Sequence, residues 1–168
     1  MKVGYVEPTL LSLYRTGDSR KTKYFEARNL RIYQYKDRKA DEERCTFRAG
    51  EFYLIAAEAA NELNEQGEAL QYLKKLMEKR YTAKKYPDYS SALDGLAQDA
   101  LREEIANERR RELAYQGHRW FDLRRITQPE LKKNYEGEEF TLEQNDERYT
   151  MRFPADAVAA NPGLENWK

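Results

Sequence analysis

The stretch Glu108–Arg125, ERRRELAYQGHRWFDLRR, constrains this chain more than any other. It is too polar for an ordinary core helix and too aromatic for an ordinary surface. Its charges recur three and four residues apart: Glu108 with Arg111 and Glu112, Arg109 with Glu112, His118 and Arg119 with Asp122. On a helix that spacing puts each set on one face. Leu113, Tyr115, Trp120, Phe121 and Leu123, lying between the charges, are core-type residues. Gly117 separates the two halves and predicts a bend or a helix break. The expected object is a lattice of charges pinned beneath an aromatic cluster.

The 168 residues suffice for one domain with a sizeable core. Lys+Arg and Asp+Glu number 30 each, so no global field draws the chain toward nucleic acid or an acidic membrane. The single cysteine, Cys45, excludes an internal disulfide and reads as a buried or half-buried bystander ahead of an apolar helix. No apolar run approaches the ~20 residues that span a bilayer. The N-terminus, MKVGYVEPTLL, lacks the apolar region of a signal peptide.

Periodicity predicts a mainly α fold with antiparallel helices at about 46–64, 68–81 and 92–116 and a minor β component. Phe52, Ile55, Ala56, Ala59, Ala60 and Leu63 mark the apolar face of the first helix. Ala69, Leu73, Leu76, Met77 and Arg80 mark the second. A connection of about four residues makes the two pack antiparallel, a pair that resembles a tetratricopeptide unit. Residues 1–22 read as a loop with a short helical turn, Leu30–Tyr35 as an extended segment, and Lys36–Arg44 as a charged loop. Tyr81–Ser91 reads as a loop punctuated by Pro87. In the tail, Phe140–Leu142 and Arg148–Phe153 predict a hairpin, with a short helical turn at Asp156–Ala160.

The run ER-RREL-A-GHRWFDLRR closely resembles the C-terminal signature of SusD/RagB-type outer-membrane nutrient-uptake lipoproteins. LLSLYRTGDSRK at 10–21 resembles the segment of that family ending in Asp-x-Arg. Arg48, Glu51, Leu54, Ala57, Glu58 and Ala59 occupy the positions of its Arg-x-x-Glu-x-x-Leu-x-x-Ala-Glu-Ala helix pair. YTMRFPADAVAANPGLENW at 149–167 resembles its closing strand, proline and Asn-Pro, with Arg-Phe-Pro in place of Pro-Ile-Pro. The resemblance implies a single domain over 1–168 that is the C-terminal portion of a longer protein. The signal peptide, the lipidated cysteine and the first helical half would lie outside it. It further implies a surface-exposed outer-membrane lipoprotein that caps a TonB-dependent, SusC-like transporter and captures an oligosaccharide, or sometimes a peptide, without cleaving it. Membrane contact would run through the lipid anchor alone, this portion by itself being soluble.

Two sites invite a chemical reading. Glu108, Glu112, His118 and Asp122 could be a catalytic or metal centre. Arg109, Arg110, Arg111, Arg119 and Arg124 among them lower carboxylate pKa values and repel a cation, and no HExxH or ExxH spacing is present. The expectation is therefore a structural ion-pair network of Glu108, Arg109, Arg111, Glu112, His118, Arg119 and Asp122, with no metal, cofactor or catalytic residue. Tyr81, Tyr86 and Tyr89 could stack on pyranose faces, Tyr86 and Tyr89 being the candidate ligand contacts. Such aromatic residues more often pack over a core. The acidic tail, Glu136 to Glu147, lacks the spacing of a calcium loop. A glycan-capture subunit and a helical-repeat module binding a protein or peptide are the two function classes left open. A hydrolase is weaker, because no nucleophile–base pair is visible.

Overall fold

The structure, a computed structural model, describes residues 6–27, 33–35 and 48–164. Cys45, the 36–44 loop and the outer ends of the segments expected at 30–35 and 46–64 lie outside these residues. The chain forms two compact units, residues 1–116 and 117–168.

The first unit is built on helices. A short helix α1, Pro8–Ser12, opens with proline in its first turn, where a missing N–H costs nothing. Helix α2, Ser19–Tyr24, starts at Asp18, whose carboxylate accepts the Arg20 N–H at 2.9 Å. Strands β1, Phe25–Ala27, and β2, Tyr33–Tyr35, pair antiparallel. Helices α3, Ala49–Glu62, and α4, Gln66–Glu78, form the expected antiparallel pair. Their turn is closed by Asn64 at φ 63°, a left-handed conformation asparagine tolerates. Helix α6, Gln98–Glu112, lies against α3. Leu54, Leu73 and Leu101 are fully buried among them, each contributing about 1.5–3 kcal/mol of transfer free energy.

Three expectations need correction here. On α3 the core face is Leu54, Ala57, Ala60 and Asn61, whereas Phe52, Ile55 and Leu63 are exposed. Apart from a side lined by Glu51, Glu58 and Glu62 this helix is apolar, so more than one face fits the period, and packing against α4 and α6 selects between them. Tyr81–Ser91 is not a loop throughout. Tyr86–Leu93 is helix α5, with Pro87 in its first turn. A proline that ends one element is equally suited to begin the next. The third long helix consequently starts at Gln98 rather than 92, and it stops at Glu112. Tyr115 and Gly117, at φ 61° and 83°, break the chain where the glycine predicted a break.

The second unit holds helix α7, His118–Ile126, and an antiparallel hairpin of β3, Leu131–Tyr135, with β4, Glu138–Leu142. The partner of Phe140–Leu142 thus precedes it, in place of the expected Arg148–Phe153. Glu136 and Gly137, at φ 54° and 90°, make the tight turn whose twist suits a two-residue hairpin. Residues Glu147–Tyr149 form a 3-10 turn instead of a strand. Tyr149 is buried, stacked on Trp120 with ring centroids 5.1 Å apart, and its hydroxyl donates to the Pro129 carbonyl. Helix α8, Ala155–Ala160, follows near the predicted turn.

Candidate functional site

Glu104, Glu108 and Glu112 recur every fourth residue of α6 and so form one acidic stripe. All three are buried. Facing them is Arg20, 1% exposed, delivered by α2. Its guanidinium is divided among three carboxylates. Nε and Nη2 donate to Asp18 at 3.0 and 2.7 Å, and Nη1 donates to Glu108 at 2.6 Å and to Glu112 at 2.9 Å. Arg80, just past α4, closes on Glu112 as a two-pronged fork at 2.8 and 2.7 Å. Arg111 donates to Glu108 at 2.8 Å and to Glu104 at 2.7 Å, and Arg15 completes Glu104 at 2.8 Å.

The cluster is therefore one connected object of four carboxylates and four guanidiniums. The backbone holds its strands together. Ser19 N–H donates to the Arg80 carbonyl and Thr82 N–H to the Gly17 carbonyl, both at 2.9 Å. Gly17 adopts φ 87°, and a Cβ there would meet the Lys85 side chain at 2.8 Å. Gly50, in the first turn of α3, leaves room for Glu112: a Cβ at that position would lie 2.6 Å from Oε1.

Burial alone would push the Glu108 and Glu112 carboxyls up. Arg20 and Arg111 at Glu108, and Arg80 and Arg20 at Glu112, outweigh it and hold both below the usual carboxylate range. Burial also raises the Tyr14 and Tyr81 hydroxyls well above the ordinary tyrosine value. The depressed glutamates stabilise the fold above their unfolded pKa, and that contribution is lost as pH falls through the folded value. The raised tyrosines act in the opposite sense, and their contribution is lost as pH rises through the folded value. Unfolding free energy is expected to be level from about pH 5 to 9, falling below about pH 4 and again above about pH 10. Urea titrations across that range check this, and a maximum near pH 4 would contradict it.

These carboxylates are poorly suited to acid–base work. A general acid at neutral pH needs its pKa raised, and these are lowered. Among the described residues, no group of three His, Cys, Asp or Glu side chains is placed to hold a metal ion.

Of the residues singled out in the sequence, Glu108, Arg111 and Glu112 meet in this cluster. Arg109 turns to Glu51, at 3.2 Å. His118, Arg119 and Asp122 fall on α7 in the second unit, where Arg125 pairs with Asp122 at 3.1 Å. Asp18, Arg20, Arg80, Glu104 and Arg15 were missed. The four-residue glutamate stripe was a readable sign for Glu104, and the Asp-x-Arg of 18–20 for the other side of the cluster. Tyr86 and Tyr89 are half-buried against the helical core. Their hydroxyls donate to the carbonyls of Lys74 and Thr16, at 3.2 and 3.1 Å. The Tyr89 ring lies 4.9 Å from that of Tyr81 and under the Arg15 guanidinium.

The SusD family profile matches residues 12–163. SusD-like protein P25 of Formosa agariphila is 41% identical over 80 residues, which are 48% of this chain and 14% of that protein. SusD-like protein P2 of the same organism is 39% identical over 80 residues, 47% of this chain and 16% of that protein. The crystal structure of a SusD-like carbohydrate binding protein from Bacteroides vulgatus superposes with a TM-score of 0.64 at 23% identity. The superposition covers 96% of this chain and 41% of that one, so the fold is shared and the chain spans less than half of the solved relative. Among the described residues no helix is long and apolar enough to cross a membrane. The profile match begins ahead of Arg15 and ends beyond Tyr149, taking in every member of the buried cluster, and the chain belongs to the SusD family.

Proposed function

We propose that this chain is the C-terminal portion of a surface-exposed outer-membrane lipoprotein that captures an oligosaccharide and passes it to a TonB-dependent, SusC-like transporter. Family membership across residues 12–163 is the observation that carries the reading. The likeness in fold to a SusD-like carbohydrate binding protein supports it. Capture without cleavage fits a cluster whose carboxylates are all engaged by arginine.

Within this chain the weak candidates for sugar contact are Tyr86 and Tyr89. Their hydroxyls are already committed to backbone carbonyls, and their rings are half covered. Two such platforms on one short helix offer little preorganised surface, and most of the affinity would come from elsewhere in the longer protein. In calorimetry against plant, host and microbial glycans, the longer protein is expected to bind an oligosaccharide and release no sugar. Residues 1–168 alone should bind it at least tenfold more weakly. Released sugar would overturn the non-enzymatic reading, and tight peptide binding without a glycan partner would move the function to a helical interaction module.

A further inference from the structure

Two stretches of the first unit, 15–24 and 78–89, lie side by side. Ser19 donates its N–H and its hydroxyl to the Arg80 carbonyl, Thr82 N–H donates to the Gly17 carbonyl, and the Tyr89 hydroxyl reaches the Thr16 carbonyl. With the members of the buried cluster set aside, these stretches carry Lys21, Lys23, Lys79, Lys84 and Lys85 against only Glu78 and Asp88. The cluster beneath matches four carboxylates with four guanidiniums and adds no net charge of its own. A chain with 30 basic and 30 acidic residues thus concentrates positive charge at one place. Lys23 stands one turn beyond Ser19 on α2, on the same side of that helix. The Lys85 side chain covers Gly17, where a Cβ would meet it at 2.8 Å. Lys23, Lys79 and Lys84 are exposed. Lys79 meets Glu78 loosely at 3.4 Å and Lys85 meets Asp88 at 3.1 Å, whereas Lys23 and Lys84 have no ion pair among the described residues.

We propose that the surface formed by Lys23, Lys79, Lys84 and Lys85, bordered by Tyr86 and Tyr89, selects acidic oligosaccharides by pairing its ammoniums with their sulfate or uronate groups. An ammonium is a compact charge with three rotatable donors, so it accepts either anion without demanding a fixed geometry. The company the lysines keep favours a sugar. Both stretches lie among the described residues, and neither exposes a large hydrophobic side chain. Protein interfaces are depleted in lysine and centred on apolar groups, and membrane-binding surfaces add apolar anchors to their basic residues. Here the lysines are flanked by the exposed Thr16 and Thr82 and by two half-buried tyrosine rings, which are hydrogen-bonding and stacking groups. The inference rests on reading the chain as part of a glycan-capture protein, and it names the charge class of what is captured.

Calorimetry on the longer protein tests this with paired probes: a sulfated galactan oligosaccharide and its desulfated form, and a uronic-acid oligosaccharide and its carboxyl-reduced form. The two pairs separate the sources of negative charge. At least one acidic probe is expected to bind about fivefold or more tighter than its neutral partner, the preference shrinking between about 0.02 and 0.3 M salt. Lys23→Gln, Lys79→Gln and Lys84→Gln combined should abolish the preference, leave neutral binding within about twofold and move the melting temperature by less than about 2 °C. Lys23→Arg, Lys79→Arg and Lys84→Arg should retain it. In residues 1–168, amide NMR shifts caused by the preferred probe should gather at 16–23 and 79–89. Equal affinity for charged and neutral partners overturns the inference and leaves glycan capture standing, as does a preference that the glutamines do not reduce. Failure to bind any glycan would remove the proposed function and this inference with it. Equal binding of inorganic polyphosphate, or of phosphatidylglycerol vesicles, through the same lysines would make charge alone or a lipid surface the partner and overturn it too.

Discussion

Arg20→Ala is expected to lower the melting temperature of the chain by roughly 6–20 °C, the equivalent of about 3–5 kcal/mol. The size follows from what the substitution leaves behind. Asp18, Glu108 and Glu112 each lose a charged donor, and all three side chains are wholly buried. Glu108 keeps Arg111, and Glu112 keeps Arg80. Asp18 keeps no other ion pair among the described residues. The cost therefore comes from stranded anions as well as from the lost attraction. Arg20→Lys should recover only a minor part, because one ammonium does not reproduce a planar fork donating in three directions. Circular dichroism melts of both variants check this. An alanine variant melting with the parent would show that the cluster contributes little, and a fully rescued lysine variant would show that charge alone suffices.

Glu112→Ala is expected to be the second most damaging change, at about 3 kcal/mol or somewhat less. Arg20 retains two carboxylates, but Arg80 loses its two-pronged partner. The Arg80 side chain is 26% exposed, so water recovers part of the loss. A second substitution separates this account from simple loss of packing. Gly50→Ala in the parent drives a methyl against Glu112 Oε1, at 2.6 Å. In the Glu112→Ala background that obstruction is gone. A double-mutant cycle should therefore show Gly50→Ala costing less in the variant than in the parent, by about 1 kcal/mol or more. Equal costs in both backgrounds would mean that Gly50 is required for another reason.

The long α3–α4 pair and the presence of the acidic helix α6, though not its start at Gln98, were legible because their apolar residues keep a 3.6-residue period over several turns. Charge periodicity likewise pointed to Glu108, Arg111 and Glu112. The other half of the cluster was not legible from spacing. Apart from the Asp-x-Arg motif itself, nothing local in Gly17–Arg20 distinguishes an arginine that will be buried from one that stays in water, and two of its three partners, Glu108 and Glu112, lie far along the chain. The choice of buried face on α3 was illegible for a different reason: with apolar residues on more than one side, the decision belongs to neighbouring helices. The hairpin was assigned to the wrong partner because Lys132, Lys133 and Asn134 lack strand-like alternation, while Tyr149, Met151 and Phe153 have it. Only the first of those three is buried.

The division of Arg20 among distant acids also bears on synthesis. Arg20 and Glu108 are separated by 88 positions. At 5–20 residues per second, the arginine leaves the ribosome roughly 4–18 s before its partner. During that interval no local contact can substitute for Glu108 and Glu112, and the Asp18–Arg20 segment stays hydrated beside a nascent helix pair. The backbone bonds of Ser19 to Arg80 and of Thr82 to Gly17 can form earlier, but the ion pairs of Arg20 are complete only once the last turn of α6 has emerged, so the longest-range charge contacts of the first unit are made late.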